Sequence, residues 1–245
     1  MNILAIDTAA GILSLALGTE AGIWSAASDA GQRHSEMLMD MAESLIKNAG
    51  LSPGDLDGVA CMKGPGSFTG LRIGFSAAKG IALALGIPLA ASPTLDCMTV
   101  PYASWPDLIL PVMDARKRRF FTALYRGNRR RSEFMDAAVP EIALRISGHI
   151  GSGKENHAER IIITGDDAEM IYEDLLSACR SLMPDTPLLL KANSGRRGWG
   201  VELLEMVKKS IFDNSADERT GGPEYIRKSD AELNFENKAG LYGRS

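Results

Sequence analysis

Cysteine is scarce in this chain. Its three cysteines, Cys61, Cys97 and Cys179, are odd in number, far apart and form no C-x-x-C pair. That pattern offers no disulfide framework and predicts reduced thiols in the cytosol. Histidine is equally sparse. His34, His149 and His157 lack any spacing that would set two imidazoles on one helix face, which excludes an H-E-x-x-H metalloprotease. No G-x-S-x-G supports a serine nucleophile, since Gly66-Ser67-Phe68 does not complete it. Met1-Asn2-Ile3-Leu4 has no basic n-region and Asp7 interrupts the apolar run, so no signal peptide is expected. The longest uncharged stretch, 80–95, is too short to span a bilayer and contains Pro88 and Pro93. The expectation is a soluble, cytoplasmic chain with no membrane partner.

What is present is ordinary globular material. The 245 residues are 45% apolar and 24% charged, enough for one large or two small domains with a buried core. A formal net charge of −4 argues against wholesale binding of nucleic acid. The most informative stretch is Gly64-Pro65-Gly66-Ser67-Phe68-Thr69-Gly70-Leu71-Arg72-Ile73-Gly74, between the apolar run Val59-Ala60-Cys61-Met62 and a long apolar helix. Strand, glycine turn and helix N-terminus are the parts of an anion cradle, with free N–H groups and the favourable end of a helix dipole. Gly64 and Gly66 suit positive φ, while Ser67 or Thr69 suits the helix cap. The run is neither G-x-x-x-x-G-K-[ST] nor G-x-G-x-x-G. A tight strand-to-helix connection, with glycines for close packing, accounts for the same residues equally well.

At the N-terminus, residues 3–6 read as a buried strand ending in Asp7-Thr8, and residues 12–18 and 22–28 complete an antiparallel meander. An Asp at such a strand tip can orient a Mg-bound phosphate, but Asp-Thr is also good turn chemistry with no ligand. Asp7, Thr8, Gly64, Gly66, Ser67 and Thr69 thus form a candidate, degenerate nucleotide or phosphate site.

A helix is expected from Ser35 as N-cap through Ala49, closed by Gly50, and another over about 69–85. On the first, Met37, Leu38, Met39, Met41, Ala42, Leu45, Ile46 and Ala49 fill an arc of roughly 200°, where a helix on one sheet needs about 100°. The second carries two apolar stripes, one through Leu71, Phe75 and Ala78 and one through Ile73, Ala77 and Ile81. Either the helices pack on each other and on the domain, or Met37, Met41, Leu45, Leu71, Phe75 and Ala78 belong to a partner interface. Methionine would suit an adaptable contact of that kind.

The prolines and polar residues of 101–106 mark a boundary. Beyond it, Leu108-Ile109-Leu110-Pro111-Val112-Met113, Asp114-Ala115 and the alternating run 120–125 repeat the opening strand–Asp–hairpin grammar, which suggests a duplicated two-lobed fold. The expected division is 1–100 for the N-terminal lobe, 107–228 for the C-terminal lobe and 229–245 for a polar tail. Within the second lobe the sequence predicts a loop over 148–156, a strand at 161–163 and a helix from about 167 to 181. A strand at 188–190, a helix over 198–209 and an extended segment at 223–227 follow. Residues 116–131 hold eight Lys/Arg and read as one basic hairpin, either solvated or a local phosphate contact.

Taken together, Ile3-Leu4-Ala5-Ile6-Asp7-Thr8-Ala9, His34-Ser35, the glycine-rich run and Asp114-Ala115-Arg116 resemble the TsaB (YeaZ) family of tRNA threonylcarbamoyladenosine biosynthesis proteins. The likeness covers about the first 125 residues, with a shorter echo at Glu224-Tyr225-Ile226-Arg227. It implies an α/β, two-lobed actin-like (ASKHA, RNase H-like) fold with duplicated lobes, in which related ATPases hold Mg-bound phosphate at the position of Asp7. It further implies a non-catalytic scaffold for a TsaD-like catalytic subunit, acting with a TsaE-like ATPase. By the same resemblance the two apolar helices would dimerise the chain when alone and dock the catalytic partner. ATP and Mg would serve the complex rather than bind strongly to this chain, and tRNA would be met through the complex. The H-x-x-x-H metal pair of TsaD-like subunits is absent. Two alternatives remain: an ATP-dependent small-molecule kinase, with Asp7 on Mg and residues 64–69 on phosphate, and a glycoprotease-like peptidase, which the missing metal ligands disfavour.

Overall fold

A computed structural model describes residues 1–29, 31–150, 160–183, 188–190, 197–213, 215, 218 and 220–226. The N-terminal apolar run forms β1 (Ile3–Asp7), paired antiparallel with β2 (Ile12–Thr19), which pairs in turn with β3 (Gly22–Asp29). Helix α1 (His34–Asn48) leads to β4 (Gly58–Gly64), parallel to β1. Helix α2 (Phe68–Leu85) then leads to β5 (Leu89–Pro93), parallel to β4. The sheet order is β3-β2-β1-β4-β5. Helix α1 starts one residue before the expected cap, with Arg33 at the N-cap and no side-chain cap. Helix α2 is better bounded: Ser67 Oγ accepts the Gly70 N–H, and Gly86, at φ 70°, ends it in the left-handed region.

A short helix α3 (Thr94–Thr99) connects to the second sheet. There β6 (Leu108–Asp114), β7 (Phe120–Thr122), β8 (Tyr125–Arg126), β9 (Arg129–Arg130) and β10 (Met135–Ala137) precede α4 (Val139–Ile150). Strand β11 (Ile161–Thr164), α5 (Ala168–Leu182) and β12 (Leu188–Leu190) complete it, in the order β10-β7-β6-β11-β12. Apart from the small β8–β9 hairpin, this repeats the first sheet. The opening strand has an antiparallel hairpin partner on one side and parallel partners on the other. The duplicated lobe expected from the two strand–Asp–hairpin runs is therefore present.

Three local expectations are corrected. The run 120–125 is not one strand. Its register on β6 places Ala123 opposite Pro111, which has no N–H to give, and the ladder breaks there into β7 and β8. Residues 148–150 are the last turn of α4 rather than loop; α4 itself, seated through Ile142, Ala143 and Ile146, had no counterpart in the sequence reading. The third concerns the lobe boundary. Helix α6 (Gly200–Phe212), assigned from sequence to the second lobe, packs on the first sheet through Leu203, Leu204, Val207 and Ile211. It covers the face that carries Ile3, Ala5 and Ala60, while α1 and α2 cover the other face, that of Leu4, Ile6, Val59 and Cys61. Both faces of β1 and β4 are thus sealed, which is why these strands read as continuous apolar runs. Residues 151–156, His157, Arg227 and the tail 229–245 lie outside the described residues.

Helix α2 is long and apolar enough, by length and composition, to cross a membrane. Here it lies on the first sheet through Gly70, Leu71, Gly74, Phe75, Ala78 and Ala82.

Candidate functional site: the cleft between the lobes

The turns after β1 and β6, one from each lobe, face one another across a cleft of about 790 Å³. One wall is Ala9–Gly11, His34 and the start of α2; the other is Met113–Arg116, Phe121, Asp167 and Met170, with Glu224–Ile226 along the edge. Of the residues expected to hold phosphate, Gly66, Ser67 and Thr69 line this cleft. Asp7, Thr8 and Gly64 do not, and each has a different task.

Asp7 is 1% exposed and turned into the core. Its Oδ1 accepts the Ala9 N–H at 3.0 Å and its Oδ2 accepts the Trp199 N–H at 2.8 Å, which clamps the start of α6 to the end of β1. Ser14 Oγ accepts the next N–H, that of Gly200. Buried, off the cleft lining and with each oxygen already accepting an N–H, Asp7 does not face a Mg-bound phosphate in the cleft. Thr8 Oγ1 donates to the Gly70 carbonyl at 2.7 Å. A Cβ on Gly70 would overlap the Thr8 carbonyl oxygen, one on Gly74 would overlap Thr8 Oγ1, and one on Gly66 would come within 2.6 Å of the Ala9 carbonyl. These glycines let α2 lie against the β1–β2 turn. Gly64, at φ 118°, clears the Glu224 carbonyl in the same way.

Burial pushes the Asp7 carboxyl up to about 7 from its usual 3.8; the two N–H donors oppose this, while Asp166 and Glu202 add to it. The folded chain therefore holds a proton that the unfolded chain releases near 3.8. Stability from this group is fully present below pH 3.8 and is lost as pH rises through 7, up to about 4 kcal/mol in all. In Asp7→Asn this dependence is removed and one N–H is left facing an amide NH₂. The variant should be less stable than wild type by about 1–3 kcal/mol at pH 5, with the gap closing by pH 8, in urea denaturation at the two pH values.

The expected partner residues divide. Leu45, Leu71, Phe75 and Ala78 are buried in the monomer, so they are core rather than interface; Met37 and Met41 are half-buried. The apolar surface left outside is Met39, 52% exposed, and Leu83, 60% exposed. Ile73, Ala77 and Ile81 of α2 are partly buried and pack against the core of the first lobe.

The basic hairpin is not one patch. The β6 register puts Asp114 opposite Phe120 and Leu108 opposite Arg126, so Arg116–Arg118 and Arg129–Arg131 sit at opposite ends of a six-residue span, about 20 Å at ~3.3 Å per residue. Arg119 belongs to neither group, since its guanidinium is tied to Asp136 and Glu141. Arg116, Lys117 and Arg118 have φ of 65°, 57° and 57°. Three successive left-handed residues that are neither Gly nor Asn cost on the order of 1 kcal/mol each. No sequence signal announces this, because Arg and Lys have no left-handed preference. The echo at Glu224-Tyr225 does find a role. Tyr225 stacks on Phe68 at 4.7 Å and its hydroxyl accepts from Arg72 Nε at 3.1 Å, while Lys63 Nζ bridges Glu218 and Glu224. These contacts strap the end of the described chain over α2. Among the described residues no group of three or more His, Cys, Asp or Glu is arranged to hold a metal ion.

Duplicated lobes of this topology about a shared cleft define an actin-like two-lobed α/β protein. Residues 26–234 match the family model described as TsaD: tRNA N6-adenosine threonylcarbamoyltransferase. Over 180 residues the chain is 31% identical to the tRNA threonylcarbamoyladenosine biosynthesis protein TsaB of Bacillus subtilis, covering 72% of this chain and 77% of that one. The TsaB protein of Escherichia coli is 28% identical over 202 residues, 75% and 85% of the two chains. The structure of YeaZ from Pseudomonas aeruginosa superposes with a TM-score of 0.71 at 22% identity, covering 92% of this chain and 99% of that one. The chain belongs to the TsaB (YeaZ) branch of this family.

Proposed function

We propose that this protein is the non-catalytic scaffold subunit of the assembly that makes N6-threonylcarbamoyladenosine in tRNA. Its similarity to proteins named for that biosynthesis supports the pathway. The observation that carries the scaffold role is the inward turn of Asp7, whose carboxylate joins α6 to β1 instead of facing the cleft. A TsaD-like subunit supplies the chemistry, a TsaE-like ATPase accompanies it, and ATP and Mg serve the complex. The outer face of α1 and α2, around Met39 and Leu83, docks the TsaD-like subunit, and a second copy of this chain when that subunit is missing. The assembly works in the cytoplasm and meets tRNA there. Reconstitution with TsaD-like and TsaE-like proteins tests the reading: modification of a tRNA transcript should depend on this chain. Calorimetry of the chain alone with Mg-ATP should show no micromolar binding. Micromolar affinity together with modification that proceeds without the chain would instead favour the small-molecule kinase.

A further inference from the structure

We propose that the left-handed turn Arg116-Lys117-Arg118 is a phosphate-contact element for RNA, set at the mouth of the cleft. The inference rests on the tRNA-modification reading. The turn is rigidly held: the Asp114 N–H donates to Asp167 Oδ2 at 2.7 Å, Asp114 Oδ1 accepts the Arg116 N–H at 2.7 Å, and the Ala115 N–H donates to the Arg119 carbonyl at 2.9 Å. Arg116 also pairs with Asp114 at 3.5 Å, yet its side chain stays 86% exposed. Lys117 and Arg118 are likewise exposed. Gly or Asn would take this backbone at less strain, so the left-handed conformation does not itself select for cations. What three cations on a preformed turn can do is follow a phosphate backbone, with little ordering left to occur on binding. The neighbouring Asp114 and Asp167 point to a polyanion that several cations grip, rather than a single small anion, because their carboxylates reduce the local positive field. Arg119, next in sequence, is held back by Asp136 and Glu141 and is left out of the contact.

The test uses a variant that keeps the turn and removes its charge, Arg116→Asn with Lys117→Gly and Arg118→Asn. It should melt at or above the wild-type temperature, since Asn and Gly accept left-handed φ. Binding of an unmodified tRNA transcript is titrated against salt, for the chain alone and for its assembly with the TsaD-like subunit, which sedimentation checks first. The variant should bind roughly tenfold or more weakly near 0.1 M salt, and its log–log salt slope should be flatter by about two to three units. The charge-matched control, Arg129→Ser with Arg130→Ser and Arg131→Ser, removes three cations at the far end of β6 and should change the slope by less than one unit. An unchanged affinity and slope in the turn variant would overturn the proposal. An equal loss in the control would do so too, because it would report net charge and not the turn. Intact RNA binding with weakened subunit assembly would assign the turn to an acidic protein surface and would equally overturn it. Failure of wild-type assembly would count against the scaffold reading, while the titration of the chain alone still decides the turn.

Discussion

Gly70→Ala should lower the melting temperature by roughly 5–15 °C. The added Cβ overlaps the carbonyl oxygen of Thr8, which is backbone and cannot rotate away. Either α2 lifts from the end of β1 or the β1–β2 turn gives way, and in both cases the bond from Thr8 Oγ1 to the Gly70 carbonyl is lost. Overpacking costs about 1–3 kcal/mol and the bond about 1, so the sum is on the order of 2–4 kcal/mol. The same helix carries its own control. A Cβ on Gly80 meets nothing within 4 Å, so Gly80→Ala should stabilise the chain by up to about 1 kcal/mol through helix propensity alone. Thermal melts of the two variants side by side separate a close-packing glycine from a tolerated one. Equal melting temperatures would refute the packing account.

If the outer face of α1 and α2 docks as proposed, Leu83→Asp should leave the monomer's melting temperature unchanged and weaken association with a second copy and with the TsaD-like subunit by about a hundredfold or more. Leu83 is 60% exposed on α2 and Met39 is 52% exposed on α1. A carboxylate at Leu83 would be desolvated with no partner wherever the proposed docking covers that side chain. Phe75→Asp makes the contrast. Phe75 is buried among Leu38, Ala42 and Val59 in the core of the first lobe, so a charge there should unfold the monomer rather than merely separate subunits. Sedimentation of Leu83→Asp with and without the catalytic partner reads the effect. Wild-type association would move the interface off α1 and α2.

The opening hairpin strands and the lobe duplication were legible because they depend on local signals: apolar runs of strand length, glycine turns and an Asp at each strand tip. The helix faces were half legible. Periodicity named the apolar arcs on α1 and α2, but a wheel cannot tell which stripe meets the sheet. Phe75 and Ala78 went inward while Ile73, Ala77 and Ile81, on the neighbouring stripe, stayed only partly buried. Asp7 was found by its position with two readings open, but its task of holding α6 was not visible, because its partner Trp199 lies 192 residues away. Its alternative reading, a strand-end residue with no ligand, was the nearer one. The basic hairpin was misread for a different reason: adjacency in sequence does not survive a β-hairpin, which sends neighbouring clusters to opposite ends of a strand.

The return of α6 to the first sheet also governs how the chain must be made. Strand β5 ends at Pro93 and α6 begins at Gly200, about a hundred residues later. At 5–20 residues per second the ribosome needs roughly 5–20 s to supply that helix. Throughout that interval the sheet face formed by Ile3, Ala5, Ala60 and Met62 has no α6 to cover it. The amino-terminal half should therefore engage chaperones until nearly the whole chain has emerged, and a nascent chain stalled before residue 200 should aggregate, although its first five strands are complete.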